Sequence, residues 1–200
     1  EEDGVIYRRG EKILESKDIL IPGTHNIENY MAAIALVEGL ATDDAIRQVA
    51  RAFGGVEHRI ELVRVKDGVR FYNDSIASSP SRTIAGLRSF PEQVILIAGG
   101  YDKHIPYDVL GPEICKHVKK LFLGGATGPK IRAAVEAAPE YAPGKPEIVD
   151  CKDFTEATLA AAKAEESGDV VLMSPASAAF DQFKNFMVRG EYYKKLIKEL

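Results

Sequence analysis

Between residues 94 and 173 four short apolar runs recur, each ending on glycine or a polar residue and each followed by a stretch long enough for a helix. Val94-Ile95-Leu96-Ile97-Ala98 ends in Gly99-Gly100, Leu121-Phe122-Leu123 in Gly124-Gly125, Ile148-Val149 in Asp150, and Val170-Val171-Leu172-Met173 in Ser174-Pro175. Apolar and polar residues do not alternate within these runs, so the strands they form are buried on both faces. Helical stretches near 107–119, 128–138 and 153–166 lie between them, with further helices expected near 178–187 and 190–199. The expected fold class is therefore α/β: a Rossmann-like, mostly parallel sheet with helices on both faces.

The chain before residue 57 has a different character. Apolar residues around 5–7, 13–14 and 19–21 suggest short strands with a turn at Arg9-Gly10. A helix over about 27–39 follows, then a second one, capped by Thr42 with Asp43 and Asp44 in its first turn, running to about Phe53. Gly54-Gly55 ends that helix and reads as a hinge. Beyond it, Asp67-Gly68 between 61–65 and 69–72 is a strong two-residue hairpin signal, and Pro80 marks the start of a helix over about 81–89. The expected boundary separates residues 1–56 from 57–200.

Composition narrows the function. With 26 Lys plus Arg against 30 Asp plus Glu, the net charge of −4 argues against a nucleic-acid partner. No apolar run reaches the roughly 18 to 20 residues of a membrane span, so no membrane insertion is expected. Cys115 and Cys151 are too few for a disulfide framework, and a cytoplasmic location follows. Neither glycine-rich turn matches G-x-G-x-x-G, and no G-x-x-x-x-G-K-[ST] occurs. Cys115 and His117 lack further residues at zinc-ligand spacing, so no metal site is expected.

Ligands of such sheets sit beyond the carboxyl ends of the strands. Four polar segments are candidates. Asn26 and Asn29 share a helix face; they read either as a helix cap with its loop or as paired amide readers of a ligand. Arg59 lies in a charged cluster that is either solvated surface or a phosphate grip. In Asn73-Asp74-Ser75-Ile76-Ala77-Ser78-Ser79-Pro80 the hydroxyls either cap the next helix or bind a ligand. Lys103, after the most apolar strand, is placed to meet a substrate carboxylate.

In order, Gly23-Thr24-His25-Asn26-Ile27-Glu28-Asn29, His58-Arg59 with Glu61, Asn73-Asp74-Ser75, Gly99-Gly100 and the stretch from Ser174 to Phe186 followed by Arg189-Gly190-Glu191 resemble the Mur ligases of peptidoglycan synthesis, in their D-glutamate-adding branch. The resemblance implies that residues 1–56 are the C-terminal part of a central ATP-binding domain. Residues 57–200 would be the C-terminal Rossmann-like domain that brings in the amino acid. It implies an ATP-dependent ligase, working through an acyl phosphate, with ATP, D-glutamate and UDP-N-acetylmuramoyl-L-alanine as partners and Mg2+ as cofactor. The family's P-loop, carbamylated lysine and magnesium ligands have no counterpart in this chain, so it is expected to be a fragment inactive on its own, with no catalytic residue in it. By resemblance Asn26 and Asn29 face the adenine of ATP, Arg59 its phosphates and Asp74 its ribose. Lys103, Ser78, Phe180 (through its backbone) and Phe186 form the D-glutamate pocket. Ile76 stands where the family often has lysine, and Ala179 where many members have serine. Two other readings stay open: a different Mur- or folylpolyglutamate-type ligase, and a non-catalytic Rossmann-type nucleotide-binding module.

Overall fold

The computed structural model describes all 200 residues, and they form two compact units, Glu1–Gly55 and Val56–Leu200. In the first unit, β1 (Val5–Arg8) and β2 (Glu11–Glu15) pair antiparallel across a two-residue loop. Both loop residues, Arg9 and Gly10, have positive φ, 52° and 82°, the backbone that lets a tight hairpin follow the strand twist. Helices α1 (Thr24–Leu36) and α2 (Asp43–Ala52) pack Ile34, Ile46 and Ala50 against Ile6, Ile13 and Leu14. The Thr42 hydroxyl caps α2 by accepting from the Ala45 N–H at 3.3 Å. Residues 19–21 form no strand: a short 3-10 turn over Ser16–Asp18 redirects the chain, and Leu20 is exposed.

In the second unit six strands form one sheet. They are β3 (Glu61–Lys66), β4 (Val69–Asn73), β5 (Val94–Ala98), β6 (Val118–Leu123), β7 (Glu147–Asp150) and β8 (Val170–Met173), in the order β3-β4-β8-β5-β6-β7. Only the β3–β4 hairpin is antiparallel. Along β5, Val94, Leu96 and Ala98 enter one core while Ile95 and Ile97 enter the other, and β8 divides the same way. That split is why the runs do not alternate in the sequence. Helices α3 (Pro80–Leu87), α4 (Leu110–His117) and α5 (Gly128–Glu136) cover the first face; α6 (Phe154–Lys163) and α7 (Phe186–Lys198) cover the second. Gly111 lets α4 approach α5 closely, since a Cβ there would lie 2.1 Å from the Ala134 carbonyl oxygen.

One expected helix is absent. Residues 178–185 are irregular, because the Arg189 guanidinium takes the carbonyls of Ser177 and Ala178, each at 3.1 Å. The closing helix instead starts at Phe186, where the Asn185 side chain accepts from the Val188 N–H at 2.9 Å. Near its middle, Tyr193 is wholly buried, its hydroxyl lacks a protein partner, and burial pushes its pKa up. Tyr193→Phe is expected to raise stability by about 1 kcal/mol, because a desolvated hydroxyl without a partner costs that much. A urea midpoint that falls instead would show that the hydroxyl is satisfied.

Candidate functional site

The chain leaves β4 through α3 to β5, winds outward to β7, and returns through α6 to β8, which inserts between β4 and β5. This reversal makes the carboxyl ends of β4, β8 and β5 the expected crevice. The loops that follow these strands carry Asp74 and Ser78, Phe180, and Lys103.

The turn after β5 is fastened at nearly every residue. The Gly99 N–H donates to the Pro175 carbonyl (2.9 Å), the Gly100 N–H to the Thr127 hydroxyl (3.0 Å) and the Tyr101 N–H to the Ala178 carbonyl (2.9 Å). Asp102 pairs with Lys130 at 2.6 Å and accepts from the His104 N–H at 2.8 Å, and these contacts hold its carboxyl below its ordinary pKa. Lys103 is exposed and takes part in no ion pair; its neighbouring acid is already claimed by Lys130. The turn therefore presents a free ammonium from a fixed backbone, and pairing with Asp102 does not account for it.

The loop after β4 is built inward. The Asn73 side chain accepts from the Ser75 N–H (3.1 Å) and donates to Glu61 (3.1 Å) and His58 (3.0 Å). Asp74 is buried: Oδ2 accepts from the Ser174 hydroxyl (2.7 Å) and Oδ1 from the Ile60 N–H (3.3 Å). Burial outweighs those two bonds and lifts its pKa to about 7. Both oxygens have donors, so a ribose hydroxyl would have to share or displace one. Ser79 makes no side-chain cap to α3, and the half-buried Ser78 hydroxyl is not used as one either, which removes the capping explanation for these hydroxyls.

Arg59 projects from a strained turn. His58 and Ile60, on either side, have φ of 64° and 46°, unusual for residues with a side chain and more so for a β-branched one. Glu61 on the His58 N–H (3.0 Å) and Asp74 on the Ile60 N–H hold that backbone, leaving the Arg59 guanidinium exposed. Strain kept in place by surrounding bonds marks a candidate functional turn.

Phe180 is 62% exposed and meets Tyr101 edge-to-face at 5.9 Å. Phe186 lies at the other end of the same loop, its ring edge-on to His58 at 6.0 Å and its carbonyl accepting from the Ser75 hydroxyl at 2.7 Å. The four pocket residues thus stand on the three loops of the crevice, but no hydrogen bond joins Lys103 to Phe186 or Ser78. What ties the loops together is Arg189, whose role nothing in its sequence surroundings announces. It is 1% exposed and donates to the Ser75 carbonyl (2.9 Å) and hydroxyl (3.0 Å) as well as to Ser177 and Ala178. Burial lowers its pKa to about 10, which leaves it cationic at neutral pH.

Glu57, His58 and Glu191 approach one another closely enough to hold a metal ion. They do not fit one. Lys194 already sits among the carboxylates of Glu57 (2.5 Å), Glu191 (3.0 Å) and Glu61 (3.2 Å). Burial alone would lower the Lys194 pKa, yet these carboxylates raise it. The Asn73 amide, oriented by Ser75 and Glu61, donates to His58 Nδ1, so Nε2 carries the hydrogen. Magnesium has no ligand set here. Cys115 and Cys151 are free, and burial lifts both thiols, Cys151 to about 11, so neither is an activated nucleophile.

In the first unit Asn26 is not the α1 cap. Gly23 (φ 102°) precedes the helix, and Asn26, in its first turn, donates to the Pro22 carbonyl at 2.7 Å. Asn29 donates to Asn26 Oδ1 at 3.2 Å, so the two amides do share a face, with Asn29 exposed. No helix of the structure is long and apolar enough to cross a membrane.

Residues 58–177 match the family model described as Mur ligase, glutamate ligase domain. The chain is 52% identical, over its whole length, to a UDP-N-acetylmuramoylalanine–D-glutamate ligase from Acetivibrio thermocellus, of which it covers 44%. With the enzyme of the same name from Clostridium beijerinckii the identity is 44% over 99% of the chain and 43% of the relative. The chain thus spans less than half the length of these curated relatives, matching their C-terminal part. Among solved structures, a UDP-N-acetylmuramate-alanine ligase from Thermotoga maritima superposes with a TM-score of 0.63 at 17% identity, over 90% of this chain and 39% of that one. A folylpolyglutamate synthase from the same organism gives 0.58 at 19% identity, over 95% and 42%. These two likenesses show the fold, and the family match shows the lineage: the chain belongs to the Mur ligases, through their glutamate ligase domain.

Proposed function

We propose that this chain is the C-terminal part of a cytoplasmic ATP-dependent ligase that joins D-glutamate to UDP-N-acetylmuramoyl-L-alanine in peptidoglycan synthesis. ATP would phosphorylate the muramoyl-alanine carboxylate, and the D-glutamate amine would attack the acyl phosphate, releasing phosphate. Such chemistry calls for alignment and charge neutralisation more than for a protein nucleophile. Residues 1–56 would close the central ATP-binding domain, with Asn26 and Asn29 toward adenine, and residues 57–200 would be the acceptor domain. Magnesium, which in such ligases neutralises the transferring phosphoryl group, would take its ligands from outside this chain.

Within the chain, Arg59 would meet the ATP phosphates from its strained turn, and Asp74 the ribose. Lys103 would hold a carboxylate of D-glutamate, Ser78 would offer its hydroxyl, Phe180 its backbone, and the Phe186 ring would exclude water. The observation that supports this reading best is Lys103: an exposed ammonium without an ion-pair partner, on a turn fastened on both sides of it, at the switch point of the sheet. A charge-assisted bond there contributes on the order of 1.5 to 3 kcal/mol, or about one to two decades of affinity. In a full-length ligase carrying this chain, Lys103→Ala is expected to raise the KM for D-glutamate by that amount and to leave the KM for ATP nearly unchanged. Lys103→Arg should recover part of the loss. An unchanged D-glutamate KM would remove Lys103 from the acceptor site.

A further inference from the structure

Three buried hydroxyls meet beneath the Lys103 turn. Thr127 and Ser177 are fully buried and Tyr107 nearly so. Tyr107 lies 2.9 Å from the Ser177 hydroxyl, and Ser177 2.8 Å from that of Thr127. Thr127 Oγ1 is also 3.0 Å from the Gly100 nitrogen and 3.2 Å from the Gly100 carbonyl oxygen. One proton assignment satisfies the whole chain. Tyr107 donates to Ser177, Ser177 to Thr127, and Thr127 to the Gly100 carbonyl, while the Gly100 N–H fills the second lone pair of Thr127. The Thr127 N–H adds a further bond to the same carbonyl at 3.0 Å.

Gly100 cannot be fastened by a side chain of its own. Its φ is 151°, and a Cβ would lie 2.4 Å from the Ala178 carbonyl oxygen. Both polar groups of its backbone, three positions before Lys103, end instead on Thr127. Val, Ala and Phe would keep the packing at these three positions but would leave the buried Gly100 N–H without an acceptor, so the hydroxyls serve the turn and not the packing alone.

We propose that the Tyr107–Ser177–Thr127 chain positions Lys103: it fixes the Gly100 turn so that the ammonium is held ready for the carboxylate of the acceptor amino acid. The inference rests on the reading of Lys103 as the acceptor anchor. Tyr107, Ser177 and Thr127 act through the backbone and touch no substrate. Loss of the Thr127 hydroxyl lets the turn shift, and a shift of about 1 Å at a binding group costs up to two decades.

The test uses a full-length ligase carrying this chain. Thr127→Val keeps the shape and removes the hydroxyl. It is expected to raise the KM for D-glutamate about 10-fold, to change kcat at saturating D-glutamate by less than about 2-fold, and to leave the KM for ATP unaltered. Thr127→Ser should return the D-glutamate KM to within about 2-fold of the parent enzyme, and Thr127→Val should add little on top of Lys103→Ala. If Lys103→Ala raises the D-glutamate KM and Thr127→Val does not, the positioning role is wrong while the acceptor reading survives. Equal rises in both KM values, or failure of serine to rescue, would show a merely structural threonine and overturn the proposal. If Lys103→Ala has no effect, the acceptor reading falls and the proposal with it. Should Thr127→Val not fold, Ser177→Ala breaks the chain one step further out; it is expected to raise the same KM about 3-fold, and no rise overturns the proposal.

Discussion

Gly99→Ala is expected to destabilise the chain by about 4 kcal/mol, a fall in Tm of roughly 10 °C. Two costs combine. Gly99 has φ of 108°, which a residue with a side chain adopts at about 1–3 kcal/mol. Its Cβ would also lie 1.9 Å from the Gly124 carbonyl oxygen, a backbone atom that cannot swing aside. Relieving that overlap means separating the turns after β5 and β6, at about 1–3 kcal/mol or more. Gly144→Ala isolates the first cost, since φ there is 81° and nothing lies within 4 Å of the added Cβ. It should lose only about 1 kcal/mol. Chemical denaturation of the two variants side by side measures the difference. Equal losses would mean that the two turns are free to part.

Asp74→Asn is expected to stabilise the chain at pH 8 by about 3–4 kcal/mol and to change little at pH 4. The sign follows from linkage. Burial raises the folded carboxyl from 3.8 to about 7, so the native state holds a proton that the unfolded state has released. Below about pH 4 both states are protonated and the group is neutral in the balance. As pH rises from about 4 to 7 the unfolded state ionises first, and stability falls across that window by about 4 kcal/mol. Asparagine removes the window. Its amide can donate to the Ser174 hydroxyl (2.7 Å from Asp74 Oδ2), which then turns to Thr83 at 3.0 Å, while its oxygen keeps the Ile60 N–H. Urea midpoints at pH 4 and pH 8 check this, and equal shifts at both would place the Asp74 pKa near its ordinary value. A carboxylate retained where an amide is more stable fits a role in ligand binding, so the same variant should weaken ATP in a full-length ligase.

The sheet was legible because β5 and β8 are apolar at every position, a pattern that only burial on both faces produces. The hairpin turns at Arg9-Gly10 and Asp67-Gly68 were legible because Gly10, Asp67 and Gly68 tolerate positive φ. The irregular segment 178–185 was not, since its local composition suits a helix and the decisive competitor is a guanidinium from Arg189. Asn26 was open to misreading as a cap for a related reason: a helix start depends on which donors find partners, and Gly23 lets the turn begin about three residues earlier than the apolar spacing suggests. Lys103 could be singled out from its place after the most apolar strand. The hydroxyls that hold its turn could not, because Tyr107, Thr127 and Ser177 come from three separate segments and only the folded sheet brings them together.

This chain is proposed to carry the acceptor site of a D-glutamate ligase. The most direct test is the amino-acid dependence of ADP release by a full-length ligase carrying this chain, with UDP-N-acetylmuramoyl-L-alanine as the acyl donor. D-glutamate is expected to support turnover, and L-glutamate, L-alanine and L-lysine are not. Turnover with one of those amino acids and not with D-glutamate would contradict the proposal.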